Sequence, residues 1–129
     1  MNLSDDIDLA QNNRKMSYAK YSNYTVGAVL TTKDGKKYTG CNIENGGIQS
    51  ICAERVAFCK AITEGQKEFE KILIVGGKKD QKAERCLPCG YCRQFMNEFV
   101  KKDFKVYTVF DDKVEEYTME ELLPYAFKM

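Results

Sequence analysis

Three cysteines and one glutamate hold the chemistry that this chain offers. They fall in two short stretches, Cys52-Ala53-Glu54-Arg55 and Pro88-Cys89-Gly90-Tyr91-Cys92-Arg93-Gln94. Three thiolates match a zinc ion that keeps one coordination position open for water. An open zinc lowers the pKa of its water towards about 7. Glu54, two residues from Cys52, is close enough to take that proton and hand it on. The chemistry implied is hydrolysis.

The positions of the cysteines support this reading. Cys52 opens one predicted helix, while Cys89 and Cys92 open another. At a helix N-terminus, free backbone N–H groups and the positive end of the dipole stabilise a thiolate. Two helix starts would thus converge on one dication. Three thiolates overcompensate Zn²⁺, so the site needs donors nearby, and Arg55, Arg93 and Gln94 are the ones available.

Composition removes most rival chemistries. The chain has 129 residues and not one histidine, so no Ser-His or Cys-His pair and no imidazole ligand exist. Six cysteines in an intracellular chain would stay reduced, which favours metal or catalytic use over disulfides. Hydrophobic residues at 43% and charged residues at 30% fit one soluble globular domain over residues 1–129. A formal charge of +1 provides no field for phosphate backbones, so no nucleic-acid partner is expected. No apolar run approaches the roughly 18 residues of a membrane helix, so no membrane partner is expected either. Residues Met1 to Asp6 lack the basic start and apolar run of a secretion signal, and the expected location is cytoplasmic.

The elements that must position the site follow from periodicity. Ser4 with Asp5, Asp6 and Asp8, then Arg14 and Lys15, predicts a helix whose charges oppose its macrodipole. Tyr24 to Thr31 reads as a strand, Lys33-Asp34-Gly35-Lys36 as a tight turn, and Lys37 to Cys41 as the returning strand. Helical spacing runs from about Ile51 to Thr63, with Gly65 as a stop. Ile72 to Val75 is wholly apolar, as in a strand covered on both faces. After a polar loop from Lys78 to Arg85, a second helix should span about Gly90 to Lys101 with Phe95, Phe99 and Val100 inward. Val106 to Phe110 and Val114 to Tyr117 read as strands, and Thr118 with Glu121 as the capping box of a last short helix. Helical crossovers call for parallel strands with helices on both faces. The predicted class is α/β, a three-layer α/β/α sandwich around a mixed, mostly parallel five-stranded sheet.

Beyond the zinc stretches, three further segments carry a resemblance. They are Tyr21 to Ala28, Gly40-Cys41-Asn42-Ile43-Glu44-Asn45, and Glu120 to Phe127. With them, nearly the whole chain resembles the homotetrameric nucleoside cytidine deaminases. The resemblance implies one zinc per chain on Cys52, Cys89 and Cys92, with Glu54 as proton shuttle. It implies that Asn42 and Glu44 bind the ribose and that the backbone around Ala53 meets the base carbonyl. Tyr24 stands where the family places a Phe against the pyrimidine, and Phe127 matches a ring contributed from a neighbouring subunit. The activity implied is hydrolysis of cytidine and 2′-deoxycytidine to the uridines and ammonia, within pyrimidine salvage.

The chain departs from the family between Asn45 and Cys52. Relatives usually reach the first Cys after seven residues that include an aromatic, whereas here Gly46 to Ile51 supply six without one. A reshaped sugar pocket would suit a modified cytosine nucleoside of the blasticidin type, which is the alternative substrate. Leu87 stands where a Ser often precedes the Pro.

Each of these residues also has a plainer reading. Cys86 could join Cys52, Cys89 and Cys92 in a closed structural Cys₄ site without catalysis. The Cys-x-x-Cys could be a redox pair. Tyr24 and Phe127 could be core aromatics, Asn42 and Glu44 could serve a turn, and Cys41 and Cys59 read as small buried hydrophobes.

Overall fold

A computed structural model of the chain describes residues 2–47 and 50–129. Its elements are α1 (Ser4–Arg14), β1 (Tyr24–Thr32), β2 (Lys37–Cys41), α2 (Ala53–Thr63), β3 (Phe69–Lys78), α3 (Gly90–Asn97), β4 (Lys105–Phe110), β5 (Lys113–Thr118) and α4 (Met119–Leu122). The expected elements are all present, and the differences lie at their ends. The helix of α3 stops at Asn97, short of Lys101. A turn follows in which the N–H groups of Phe99 and Val100 both reach the Met96 carbonyl, at 2.9 and 3.2 Å.

The five strands form one sheet in the order β2-β1-β3-β4-β5. It is mixed, as expected, but it is not mostly parallel. Only β3 and β4 pair parallel, while β1–β2, β1–β3 and β4–β5 are antiparallel. The crossover through α2 does join strands of the same direction, β2 and β3. However, β1 lies between them and pairs with both, so the parallel relation never becomes a ladder.

Turn chemistry sets the hairpins. Gly35 takes φ +88°, which glycine adopts at no steric cost, and the Thr32 hydroxyl accepts the Lys36 N–H at 3.1 Å. Asp111 and Asp112 have φ of +54° and +60°, the pattern of the two-residue turn whose twist matches flanking strands.

The sheet is covered on both faces. On one face α1 seals a small core of Leu3, Ala10, Val29, Leu73, Val75, Tyr107 and Val109. On the other, α2 and α3 pack over a larger core centred on Phe58, whose ring lies 5.0 Å from that of Phe69 and 6.3 Å from that of Phe104. Alternate positions along β1 and β3 divide between the two cores, as the period of a strand requires.

Two glycines let the helices come close. A Cβ on Gly27 would sit 2.0 Å from the Ala10 carbonyl oxygen of α1, and one on Gly40 would sit 2.2 Å from that of Ala53 at the start of α2. Buried Asp6 reaches across from α1 to the Lys37 ammonium on β2 at 2.5 Å.

Candidate active site

Cys52 is the N-cap of α2, in extended backbone at φ −80° and ψ 154°. Its neighbour Ile51 exchanges backbone hydrogen bonds with Ile43 at 2.9 and 3.0 Å, so the residues after β2 guide the chain into the helix. Cys89 is the N-cap of α3, and its sulfur accepts the Cys92 N–H at 3.5 Å. The loop before it is held by Thr108 of β4, a buried hydroxyl that donates to the Cys86 carbonyl at 3.1 Å and accepts the Cys86 N–H at 3.4 Å.

These helix starts bring the sulfurs of Cys52, Cys89 and Cys92 within 4.8 Å of one another. The Cys52 and Cys89 sulfurs are 3.7 Å apart. Zinc–sulfur bonds of about 2.3 Å in a tetrahedron put two sulfurs about 3.8 Å apart, so the Cys52–Cys89 pair already stands at the separation a shared zinc requires. Cys92 is buried, Cys52 half-buried and Cys89 exposed, so the cluster opens outward on its Cys89 side.

Cys86 is not part of this cluster. A Cβ added at Gly76 would fall 2.5 Å from the Cys86 sulfur, which shows how tightly that thiol lies on β3. It also meets the Tyr24 hydroxyl, and burial pushes its pKa up to about 12. A closed four-cysteine site is therefore absent among the described residues, and the metal position stays open.

Glu54, in the first turn of α2, is 4% exposed. Burial pushes its pKa up to about 7, and the neighbouring Cys52 charge works in the same direction. A dication among the sulfurs would draw it back down. The Cys52 thiol is drawn down to about 5, first by hydrogen bonding with Cys92 and then by Arg55 and Cys89. The Cys92 thiol, on the other side of the same bond, is pushed up. Among the three donors expected from sequence, Arg55 meets the cluster. Its Nη2 lies 3.7 Å from the Cys52 sulfur and donates to the Ser50 carbonyl at 3.2 Å.

Gln94 and Arg93 do something else. Gln94 donates its amide to the Phe127 carbonyl at 2.9 Å. Arg93 donates to the carbonyls of Pro88 at 2.7 Å and Leu122 at 2.9 Å. Arg93 thus ties the start of α3 to the end of α4 and Gln94 reaches the C-terminal segment, and among the described residues neither donates a hydrogen bond to a cluster sulfur.

Asn42 and Glu44 hold the chain around β1. The Asn42 amide bridges the strand start, accepting from Val26 N and donating to Tyr24 O, both at 2.8 Å. Glu44 accepts the N–H groups of Tyr21 and Ser22 at 2.9 and 3.1 Å, and the Ser22 hydroxyl as well. The hydrogen bond from that hydroxyl holds its carboxyl below the ordinary range. Tyr24 is half-buried, its hydroxyl against Cys86, and burial raises its pKa. The Glu54 charge also raises the Cys86 pKa, after burial. Ala53 is fully buried, and Phe127 is 67% exposed. Of the shortened loop, Ile48 and Gln49 lie outside the described residues. Gly46 faces the Tyr21 hydroxyl, which an added Cβ would approach to 3.1 Å.

Two participants had no signal in the sequence. Tyr91, between the paired cysteines, puts its ring 4.0 Å from the Arg55 guanidinium carbon. Thr108 sits between Tyr107 and Val109 in β4, and nothing local marks it as the clamp on the loop before Cys89. Cys59 is exposed, not buried as expected, and Cys41 is half-buried.

A three-layer sandwich with three convergent thiols and a buried carboxyl at two helix starts defines a zinc hydrolase of the deaminase class. Comparisons agree. The family described as "Cytidine and deoxycytidylate deaminase zinc-binding region" matches residues 3–108. A probable cytidine deaminase of Dictyostelium discoideum is 44% identical over 108 residues, covering 83% of this chain and 70% of its own. The crystal structure of cytidine deaminase from Burkholderia pseudomallei superposes with TM-score 0.87 at 38% identity, over 98% of this chain and 100% of that one. A blasticidin-S deaminase of Bacillus cereus stands further off, 32% identical over 79% of this chain and 76% of its own. The chain belongs to the cytidine and deoxycytidylate deaminase family. Its cofactor is zinc, and it is an enzyme.

Proposed function

We propose that this protein hydrolyses cytidine and 2′-deoxycytidine to uridine and 2′-deoxyuridine with release of ammonia. The observation that carries the reading is the three-sulfur cluster open on one side, with the buried carboxyl of Glu54 beside it. Cys52, Cys89 and Cys92 would hold one zinc per chain, and zinc there would supply the Lewis acidity that makes water a nucleophile at neutral pH.

Glu54 does the proton work. Its carboxylate takes a proton from the attacking water and delivers it to N3 of the cytosine as oxygen adds to C4. When the C4–N bond breaks, the same carboxylate takes the proton of the new C4 hydroxyl and carries it to the departing amine, leaving the C4 carbonyl and ammonia. Burial shields this transfer from bulk water. Arg55 spreads positive charge over the Cys52 sulfur and offsets the excess of thiolate.

The substrate is held by the elements around β1. Glu44, ionised and fixed by Tyr21 and Ser22, accepts the ribose 3′-hydroxyl, and Asn42 stands beside it. Tyr24 borders the pyrimidine, and the backbone near Ala53 meets the base carbonyl. Phe127, mostly exposed in the single chain, extends into a neighbouring subunit's site, in keeping with a homotetramer. Residues 1–129 act as one domain. No described helix is long and apolar enough to cross a membrane. The setting we assign is cytoplasmic pyrimidine salvage, without nucleic acid or membrane partners.

The test is ultraviolet loss of cytidine, with zinc measured on the same sample and a blasticidin-type nucleoside as second substrate. Cytidine turnover with one zinc per chain is expected. An inert cytidine beside a rapidly consumed analogue would overturn the substrate. Inertness towards every cytosine nucleoside, with zinc bound, would overturn the reaction.

A further inference from the structure

After α4 the chain runs as a strap across α3, tied at both ends to one helix turn. Arg93 holds the Leu122 carbonyl and Gln94 holds the Phe127 carbonyl, each at 2.9 Å. Between the ties Leu123 packs against the larger core, and from Pro124 onward the strap is exposed. A groove of about 840 Å³ opens beside it, lined by Asn97, Val100 and Lys101 of the α3 side and by Leu123, Pro124 and Tyr125 of the strap. Tyr125 takes φ +55° with its side chain fully exposed, so no apolar contact of its own holds that backbone in the left-handed region. Among the described residues, the Gln94 bond is the one hydrogen bond that reaches residues 124–129. A segment with so few contacts is ordered by its tethers.

We propose that Gln94 is a positioning residue, whose amide sets where the Phe127 ring stands and so how far it can enter a neighbouring subunit's site. The step concerning substrate rests on the reading of Phe127 given above; the step concerning the strap does not. Gln94 lies two residues after Cys92, in the helix that carries two of the three sulfurs, so strap and metal share one rigid support. A side chain at the carbonyl of residue 127 fixes the backbone while leaving the ring free to project outward, and the ring is 67% exposed.

The test uses the zinc-loaded full chain, with Gln94→Met to remove the donor and Gln94→Lys to restore one. A serine carboxypeptidase, which needs no metal, releases residues 129, 128 and 127 in turn, and mass spectrometry follows them without any substrate. Relative to release of Met129, Phe127 should leave Gln94→Met about fivefold faster than wild type, the scale of one hydrogen bond, and Gln94→Lys should return towards wild type. In the cytidine assay Gln94→Met should raise KM about fivefold with kcat and zinc content kept, because positioning for binding is lost and chemistry is not. Gln94→Glu, equally without a donor at this exposed site, must match Gln94→Met. Equal release of Phe127 from wild type and Gln94→Met overturns the proposal. Faster release with unchanged KM overturns the positioning role. Wild-type protein inert towards cytidine, yet with the release pattern as expected, overturns the assigned reaction and leaves the strap assignment supported.

Discussion

Arg55 reaches the sulfur of Cys52 with Nη2 at 3.7 Å. The contact joins a cation to the sulfur of the residue at the N-cap position of α2, and the Tyr91 ring lies against the same guanidinium. Removing the cation leaves three sulfurs and Glu54 without their nearest compensating charge. Arg55→Ala should therefore weaken zinc retention or turnover by about 10- to 100-fold, the usual range for such supporting groups. Tyr91→Ala should move in the same direction by less, and Tyr91→Phe should match wild type because the ring face is kept. Competition against a chromogenic chelator reads all three. An Arg55→Ala protein that holds zinc and turns over like wild type would remove this role.

Glu54→Gln keeps the shape of the buried side chain and abolishes its ability to accept a proton. Turnover should fall by at least about 10²- to 10⁴-fold while zinc stays at one per chain. Parallel turnover and metal measurements decide it, and activity near wild type would end the assignment of the proton shuttle.

Cys86 lies on Gly76 and against Tyr24, apart from the three-sulfur cluster. Cys86→Ser should therefore leave zinc stoichiometry unchanged, whereas Cys89→Ser should lose the metal. A small loss of stability is expected for Cys86→Ser, since a hydroxyl replaces a buried sulfur, on the order of 1 kcal/mol. Zinc loss in Cys86→Ser would restore the closed four-cysteine site.

Gly40 allows α2 to approach β2, because a Cβ there would meet the Ala53 oxygen at 2.2 Å and the Ala57 nitrogen at 2.8 Å. Both are backbone atoms of the helix that begins with Cys52 and Glu54, so the clash cannot be relieved by a rotamer. Gly40→Ala should cost about 1–3 kcal/mol in urea unfolding and lower zinc occupancy together with activity. Stability and zinc content like wild type would show that the helix can shift freely.

Asp6 is buried between the Lys37 and Lys71 ammonium groups, at 2.5 and 3.8 Å. It ties α1 to β2 and β3, far in sequence from every site residue. Asp6→Asn should destabilise the fold by about 1–2 kcal/mol, less than for a fully buried pair because the Lys37 ammonium is partly solvated, and should leave kcat of the folded fraction unchanged. Urea unfolding alongside active-fraction kinetics separates the two effects.

The element order was legible because it depends on local rules. The capping box of Thr118 and Glu121 forms as spacing implied, and the wholly apolar run Ile72 to Val75 is the centre of β3. The strand directions were not legible in full. Two strands joined by a crossover run the same way, but nothing in their residues says that β1 will lie between them. The capping sites of Cys52 and Cys89 were likewise local and foreseeable. The use of Gln94 and Arg93 was not, because their partners at Phe127, Leu122 and Pro88 are set by where the last segment crosses α3.

The sequence by itself determined the kind of chemistry: without histidine, three cysteines and a glutamate at two helix starts left an open zinc site as the coherent use of their charge. Only the tertiary structure decided which thiols converge. Cys86 and Cys89 are three residues apart, yet Thr108 and Gly76 hold one on the sheet while the other faces the cluster. The kind of ligand follows from residue type, but which thiols converge depends on the packing of strands and helices that no single stretch contains.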